Sequence, residues 1–263
     1  MPTVGYQGEP GAFSDDAARA LVPGAETIGY GTFDDAFAAL ADGLVDRAVL
    51  PVENSISGQV PRVYDLLWDE PRVTIVGELV YRVVQQLVGC ADVAPSTLTE
   101  IRSHPVALEQ CRRYLATVSA RRAIVADTAG AIRDVVAAGD PHVAAIGSAL
   151  AAQRYGGRIL AASIQDVADN FTRFFLLARD APRAAATTHA CVALRLPNAP
   201  GSLRDALDVF ARASLDLRTL VARPSLEKPF TYRFSCEFAE VSGATLERVL
   251  AEISGEARVL GAY

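Results

Sequence analysis

Apolar and polar positions along the first two thirds of the chain follow two alternating patterns. Short runs of β-forming residues are separated by stretches in which apolar residues recur every three or four positions. The runs TVGYQG, ETIGYG, DRAVLPVEN, EIRSHP, RRAIVAD and HVAAIGS predict strands, and AFSDDAARALV, FDDAFAALADG and VPRVYDLLWDE predict helices between them. This alternation is typical of an α/β fold with a mostly parallel sheet.

The longest apolar run, Thr74 to Gly89, predicts a single strand that crosses between two parts of this fold. Helices are expected after it from Val106 to Ala116, from Ala129 to Ala138 and up to Tyr155. We therefore expect a domain of two lobes, one from residues 1–78 and 158–180 and the other from residues 79–157, approximately. A cleft between two lobes is a favoured ligand site.

The composition changes at Asp180, where DAPRAAATT is typical of a linker. We expect a first domain over residues 1–180, a linker over 181–188 and a second domain over 189–263. The second domain has the order βαββαβ, which is that of ferredoxin-like folds. In its second helix, Leu246, Val249, Leu250 and Ile253 lie on one face.

Composition narrows the class of protein. The chain has 263 residues, 51% hydrophobic residues and a net charge of −6, which favours a globular protein over one that binds nucleic acid. Its start lacks the basic and apolar regions of a signal peptide, and no run is long enough for a membrane span, so we expect a cytoplasmic protein. The four cysteines form no CxxC and the three histidines have no ligand spacing, so we expect no disulfide and no bound metal.

The most informative segment is Asn170 to Phe174, which sets Thr172 and Arg173 at the start of the apolar run FLLA. Polar groups there are costly unless something polar meets them. One interpretation is that a substrate is this polar partner. The simpler alternative is that Thr172 caps the end of the strand and Arg173 lies at the surface. Because side chains alternate along a strand, the two residues should face opposite ways. Either the backbone is irregular, or Arg173 is structural and Thr172 alone meets the ligand.

Four further turns combine glycine or small polar residues with a helix start or a strand end. Each can hold an anion, or can simply be a turn or a helix cap. They are GYQGEPGAFS, VENSISG, SHP and DTAG. The first lacks the lysine of a nucleotide-binding P-loop, and His104 in the third is either a general base or a plain hydrogen-bonding residue.

Together, GYQGEPGAFS, VLPVENSISG, SHPVALEQC, DTAGA, AAIGS and NFTRF resemble prephenate dehydratases in order and rough spacing, over essentially the whole chain. The C-terminal unit is similar to their ACT regulatory domain. The resemblance implies a two-lobed catalytic domain, like type II periplasmic binding proteins, that converts prephenate to phenylpyruvate with loss of carbon dioxide and water. It implies no cofactor. Arogenate dehydratase remains an alternative enzyme, and a non-catalytic small-molecule sensor is an alternative of another class.

The resemblance also implies roles for individual residues. Thr172 would hydrogen-bond to the leaving oxygen, and Glu53 is the best candidate proton donor if burial raises its pKa. The catalytic candidates are Thr172, Glu53, Asn54 and Arg173, and the substrate-binding candidates are Ser55, Ser103, His104, Gln110, Thr128 and Phe174. Arg173 and helix N-termini would hold the substrate's two carboxylates.

In the C-terminal unit the resemblance implies a regulatory amino-acid site. Its residues would be Asn198, Ala199, Gly201, Ser202, Leu203 and Arg223. The family's usual Glu-Ser-Arg-Pro is Val221, Ala222, Arg223 and Pro224 here, which can weaken ligand binding or change its geometry. We expect phenylalanine feedback in a homodimer or homotetramer. The alternative is a dimerisation module without a ligand.

Overall fold

A computed structural model describes residues 1–181, 188–225, 228–239, 241 and 243–263. The strands are β1 Thr3–Gln7, β2 Glu26–Tyr30, β3 Arg47–Asn54, β4 Gly58–Gln59, β5 Val73–Arg82, β6 Gln86–Gly89, β7 Glu100–Ser103, β8 Arg121–Ile124, β9 Val143–Gly147, β10 Arg158–Ala161, β11 Phe171–Arg179, β12 His189–Arg195, β13 Asp216–Pro224, β14 Tyr232–Ala239 and β15 Glu256–Ala262. The helices are α1 Phe13–Leu21, α2 Phe33–Ala41, α3 Arg62–Asp69, α4 Pro105–Gln110, α5 Arg112–Leu115, α6 Thr128–Ala138, α7 Ala149–Tyr155, α8 Ser202–Arg212 and α9 Gly243–Ala251.

The described strands form two sheets, and the predicted α/β class is confirmed. The larger has the order β13-β14-β12-β15-β5-β11-β3-β1-β2, with β4 paired to β3, and the smaller has the order β10-β6-β9-β7-β8. Strands joined through helices, such as β1 and β2, pair in parallel, as short crossovers require. Both sheets are nevertheless mixed, since β11 and β6 pair antiparallel with their neighbours. The prediction of a mostly parallel sheet is therefore wrong.

The first lobe buries both faces of its part of the larger sheet. On one face, Tyr6 and Phe174 pack with the apolar side of α1. On the other, Leu50 and Phe175 pack with α2 and α3. The strands alternate between these two cores because successive side chains point to opposite faces.

The chain crosses to the second lobe differently from the prediction. The run from Thr74 to Gly89 is two strands in two sheets, since β5 ends at Arg82 and β6 begins at Gln86. The residues between them turn out of the first sheet, where Val83 donates its amide hydrogen to Asn170 O (2.8 Å). The expected helix from Val106 to Ala116 is also interrupted at Cys111, which leaves helical geometry at the end of α4.

The return crossing corrects the predicted lobe boundaries. β10 pairs antiparallel with β6 in the smaller sheet, so residues 158–161 lie in the second lobe and not in the first. The chain comes back over residues 162–170, where Ile164 donates to Gln85 O (3.0 Å). The two crossings therefore run side by side at the junction of the lobes.

The C-terminal unit has the predicted βαββαβ order, with α8 and α9 packed on one face of its four strands. Its other face shares a core with the first lobe, in which Cys191, Val221 and Leu260 meet the residues of α3. β15 lies beside β5 with Gly261 opposite Ile75, and a Cβ at Gly261 would come within 2.5 Å of the Ile75 Cβ. The larger sheet thus continues from one unit into the other. The predicted linker lies mostly outside the described residues.

Candidate active site

The paired strands β3 and β11 sort the candidate residues onto two faces of the sheet. Thr172 lies opposite Asn54, and Arg173 lies opposite Glu53. Directly opposed residues share a face and successive residues do not. Asn54 and Thr172 therefore face one side, whereas Glu53 and Arg173 face the other.

Thr172 is held by Asn54. The Asn54 side-chain amide donates to Thr172 Oγ1 (3.0 Å), while its oxygen accepts from the backbone of Ile56 and Ser57 (3.0 and 2.8 Å). Because Thr172 is the acceptor in this bond, its own hydrogen is not used by it. The half-buried hydroxyl can donate that hydrogen to a bound ligand.

A chain of side-chain amides continues from Asn54 into the second lobe. Asn54 Nδ2 donates to Asn170 Oδ1 (2.8 Å), and Asn170 Nδ2 donates to Gln110 Oε1 (3.1 Å). Gln85 Nε2 donates to the same oxygen of Gln110 (3.3 Å). These bonds fix the orientation of each amide and leave the Gln110 NH₂ group available as a donor. The two lobes are joined here by side chains that can also contact a ligand.

An open cavity of about 570 Å³ lies beside Gln110. Its apolar wall comes from both lobes, with Ile56 from the β3–β4 loop and Val106 from α4. Val167 on the return crossing adds to this wall, and all three side chains are 44–45% exposed. Arg112 also lines the cavity, with its guanidinium paired to Glu109 (3.3 Å), and Asp166 adds a second carboxylate. The cavity therefore combines an apolar wall with hydrogen-bond donors and acceptors, which suits a small ring compound with polar substituents.

Arg173 is surrounded by carboxylates on the opposite face. It contacts Glu53 (Nη2–Oε2, 3.1 Å), Glu78 (Nη1–Oε2, 3.2 Å) and both carboxylate oxygens of Glu237 in β14. Burial works to lower the pKa of Arg173, but the hydrogen bonds and charge of Glu237 outweigh it and raise that pKa. The guanidinium is thus fully engaged within the protein. The expected placement of Arg173 and Glu53 in one site with Thr172 is not observed, because strand alternation separates them.

Two further candidates on these strands have structural contacts. Ser55 Oγ accepts from Phe171 N (3.0 Å) and donates to Asp169 O (3.3 Å), which fastens the end of β3 to the start of β11. Phe174 shares the face of Thr172 but is only 2% exposed, because its ring packs edge-on against Tyr81. Phe174 belongs to the core and does not reach the cavity, so its assignment as a substrate contact is corrected.

The candidate site residues in the second lobe have different contacts. Ser103 is fully buried and donates to Ile146 O (2.7 Å), so it joins β7 to β9 and is not open to a ligand. His104 caps α4, with Nδ1 accepting from Val106 N (3.3 Å). Thr128 begins α6, which Asp127 caps by accepting from Gly130 N (2.6 Å). Of this group, Gln110 is the one that the amide chain brings towards Thr172.

The glycine-containing loop after β1 is a tight turn against the second lobe. Gly8 and Gly11 have positive φ angles of 119° and 93°, which favour glycine. A Cβ at Gly11 would come within 2.7 Å of the backbone of Ala151 in α7. Of the two alternatives for this segment, the structure supports the turn.

A comparison with protein-family models matches residues 4–182 to the model described as prephenate dehydratase. The chain belongs to the prephenate dehydratase family. Two curated proteins of Arabidopsis thaliana, arogenate dehydratase/prephenate dehydratase 1 and 2, chloroplastic, are 36% and 38% identical over 99% of this chain, and the matches cover 71% and 72% of those proteins.

Two solved structures resemble the whole chain, each with a TM-score of 0.90. A prephenate dehydratase from Arthrobacter aurescens in complex with L-Phe is 28% identical, with 99% of this chain and 89% of that one covered. A protein titled GqqA, a novel type of quorum quenching acylase, is 32% identical, with 99% and 97% covered.

The described residues lack two further features. They contain no group of three or more His, Cys, Asp or Glu side chains placed to hold a metal ion. None of the helices in the same ranges is long and apolar enough to span a membrane.

Sequence reasoning missed two members of this site in the prephenate dehydratase fold. Asn170 begins the NFTRF segment but is not among the predicted site residues, yet it is fully buried and links the two lobes. Gln85 lies inside the run that predicts a single strand. A glutamine in so apolar a run was the available signal, since a buried amide needs partners.

Proposed function

We propose that this chain is a prephenate dehydratase, which converts prephenate to phenylpyruvate, carbon dioxide and water. The observation that carries the proposal is the Thr172 hydroxyl, which Asn54 orients and whose own hydrogen is free to donate. The amide chain of Asn54 and Asn170 links it to Gln110, which lines the cavity between the lobes. Membership of the prephenate dehydratase family supports the same activity.

In the proposed reaction the ring carboxylate leaves as carbon dioxide, and its bonding electrons enter the ring. The electron pair of the ring C–O bond departs with the hydroxyl oxygen, which takes up a proton and becomes water. Thr172 donates a hydrogen bond to this oxygen as negative charge develops on it, and Asn54 keeps the hydroxyl in place. Such a preorganised donor typically contributes about 10²–10³ in rate. The proton itself comes from solvent or a further group.

The cavity would hold the ring between its apolar walls. Gln110 would donate its free NH₂ hydrogens to a substituent, and Arg112, which lines the same cavity, would attract a carboxylate. Arg173 has no part in this scheme, since its guanidinium is paired on the other face. Asn54, Gln110, Asn170 and Thr172 are therefore the residues that we propose for the site.

The test is to incubate the purified protein with prephenate and, separately, with arogenate, and to detect phenylpyruvate and phenylalanine. The proposal expects phenylpyruvate from prephenate and its loss in Thr172→Val. Faster release of phenylalanine from arogenate would instead assign arogenate as the substrate. No product from either compound would refute the proposed activity, and an acylated amine would then be tried, since one relative is titled an acylase.

We also propose that residues 1–180 form the catalytic domain and residues 189–263 an ACT regulatory domain. The strand order β13-β14-β12-β15 with both helices on one face supports the second part. The loop with Ala199 and Ser202 borders a cavity of about 530 Å³, where phenylalanine would bind. Arg223 does not line it and pairs with Asp65 of α3 (2.7 Å), so we leave Arg223 out of the proposed site.

Calorimetry with L-phenylalanine tests this regulation. The expected result is saturable heat together with lower turnover. Absence of heat at millimolar ligand, with unchanged activity, would favour the alternative that the C-terminal unit is a dimerisation module without a ligand. Light scattering would distinguish a homodimer from a homotetramer.

A further inference from the structure

We propose that Arg173 is a positioning residue for Thr172, and that Glu237 of the C-terminal unit controls the active-site strands through it. The inference rests on the proposed dehydratase function for its kinetic readout. Its structural basis is the group of Arg173, Glu53, Glu78 and Glu237, here called the carboxylate clamp.

The carboxylate clamp fixes one guanidinium from three strands. Glu53 lies on β3, Glu78 on β5 and Glu237 on β14, and each is within 3.2 Å of Arg173. The Arg173 side chain is 15% exposed and that of Glu237 is 6% exposed. Charge-assisted bonds of this kind are stronger than neutral ones and fix geometry in the plane of the guanidinium.

The clamp lies one residue from the proposed catalytic groups on both strands. Arg173 follows Thr172, and Glu53 precedes Asn54. Immediately beyond this pair the register shifts, because Phe174 lies opposite Pro51 and Val52 is the extra residue of a β-bulge. Bulges re-aim neighbouring side chains, so the bond between Arg173 and Glu53 sets the local twist that presents Thr172 and Asn54 to the cavity.

Glu237 connects this point to the C-terminal unit. Its carboxylate also accepts from the buried Tyr64 hydroxyl of α3 (2.5 Å), and β14 is a central strand of its unit, between β13 and β12. A displacement of the C-terminal unit would therefore move the Glu237 carboxylate and, with it, the Arg173 guanidinium beside Thr172.

The experiment compares Glu237→Gln with Asp65→Asn. Asp65 of α3 forms an ion pair with Arg223 of the C-terminal unit, and its side chain is 17% exposed. Asp65→Asn thus weakens the same junction without touching β3 or β11. Both variants are measured for kcat and KM on prephenate and for hydrogen exchange of the peptide that covers residues 171–173.

We expect Glu237→Gln to lower kcat by about 10- to 100-fold, as small misplacements of reacting groups do, with KM within about twofold. Exchange at residues 171–173 should become faster. Asp65→Asn should leave kcat and that exchange as in the wild type. Arg173→Lys should act like Glu237→Gln, and the double variant should be no slower than the slower single variant.

Equal losses of kcat in Glu237→Gln and Asp65→Asn would overturn the proposal, as would a Glu237→Gln protein that is less stable but turns over at the wild-type rate. If Glu237→Gln does not fold, Glu237→Asp replaces it, because the shorter side chain keeps the charge but retreats from Arg173. Failure of the wild type to release product would refute the proposed function instead. The exchange measurement would still decide whether Glu237 holds the strand of Thr172.

Discussion

The polar side chains on the two faces of the strand pair β3–β11 have different kinds of hydrogen-bond partner. On the cavity face, Asn54 and Thr172 belong to a chain of neutral amides that leaves hydrogen-bond donors available. On the other face, Arg173 forms ion pairs with three carboxylates, so its hydrogen-bond donors are already occupied. Neutral donors adapt to a ligand, whereas a buried ion pair is costly to break. The face with the weaker bonds is the one suited to chemistry.

The largest effect should come from removing the donor on the cavity face. Thr172→Val keeps the shape of the side chain but loses the hydroxyl, so kcat should fall by about 10²–10³. Thr172→Ser keeps the donor and is the control. The measurement is steady-state turnover of prephenate, and a Val variant as active as the Ser variant would place the chemistry elsewhere.

An intermediate effect should follow from breaking the amide chain at Asn170. Asn170→Ala removes two hydrogen bonds, one from Asn54 Nδ2 and one to Gln110 Oε1, which costs about 1–3 kcal/mol in the free energy of unfolding. Because Asn54, the partner of Thr172, then loses one of the bonds that hold its amide in place, we also expect kcat to fall by about 10- to 100-fold. Denaturant titration measures the change in the free energy of unfolding, and steady-state turnover of prephenate measures the change in kcat. The control is Gln153→Ala, at an exposed amide on α7, which should change neither stability nor kcat. If Asn170→Ala lowers stability but leaves kcat unchanged, the amide chain has no role in catalysis.

The smallest effect should come from Ser55. The structure gives Ser55 backbone partners at the strand ends, whereas the sequence predicted a contact with substrate. Ser55→Ala should cost about 0.5–1.5 kcal/mol in stability, the usual value of one hydrogen bond, and leave KM unchanged. A raised KM with unchanged stability would show that Ser55 faces the substrate after all.

The fold was predictable where local pattern and tertiary structure agree. α6, for example, has Asp127 as its cap and Gly139 in the left-handed conformation at its end, and both signals are visible in the sequence. Prediction failed at the crossings. The run from Thr74 to Gly89 has the pattern of one strand because both halves are rich in β-forming residues, yet the halves lie in two different sheets, and β6 is fully buried whereas β5 is only partly buried.

The site was predictable only in part for a similar reason. Thr172, Asn54 and Gln110 were named from motifs, and Thr172 and Arg173 were expected to face apart. Glu53, however, is a candidate proton donor only through the family resemblance, and the structure places it on the face of Arg173. Its partner Arg173, and Glu237 that also binds Arg173, are 120 and 184 positions away from Glu53 along the chain, so their association could not be inferred from spacing.

The sequence by itself determined the alternation of strands and helices, the order of the C-terminal unit and the parity that sends Thr172 and Arg173 to opposite faces. These follow from local propensity and from the two-residue repeat of a strand. The tertiary structure decided which face meets the cavity and that Glu237 shares Arg173. Those outcomes depend on contacts between distant segments, and a polar side chain takes its role from the partners that folding brings to it.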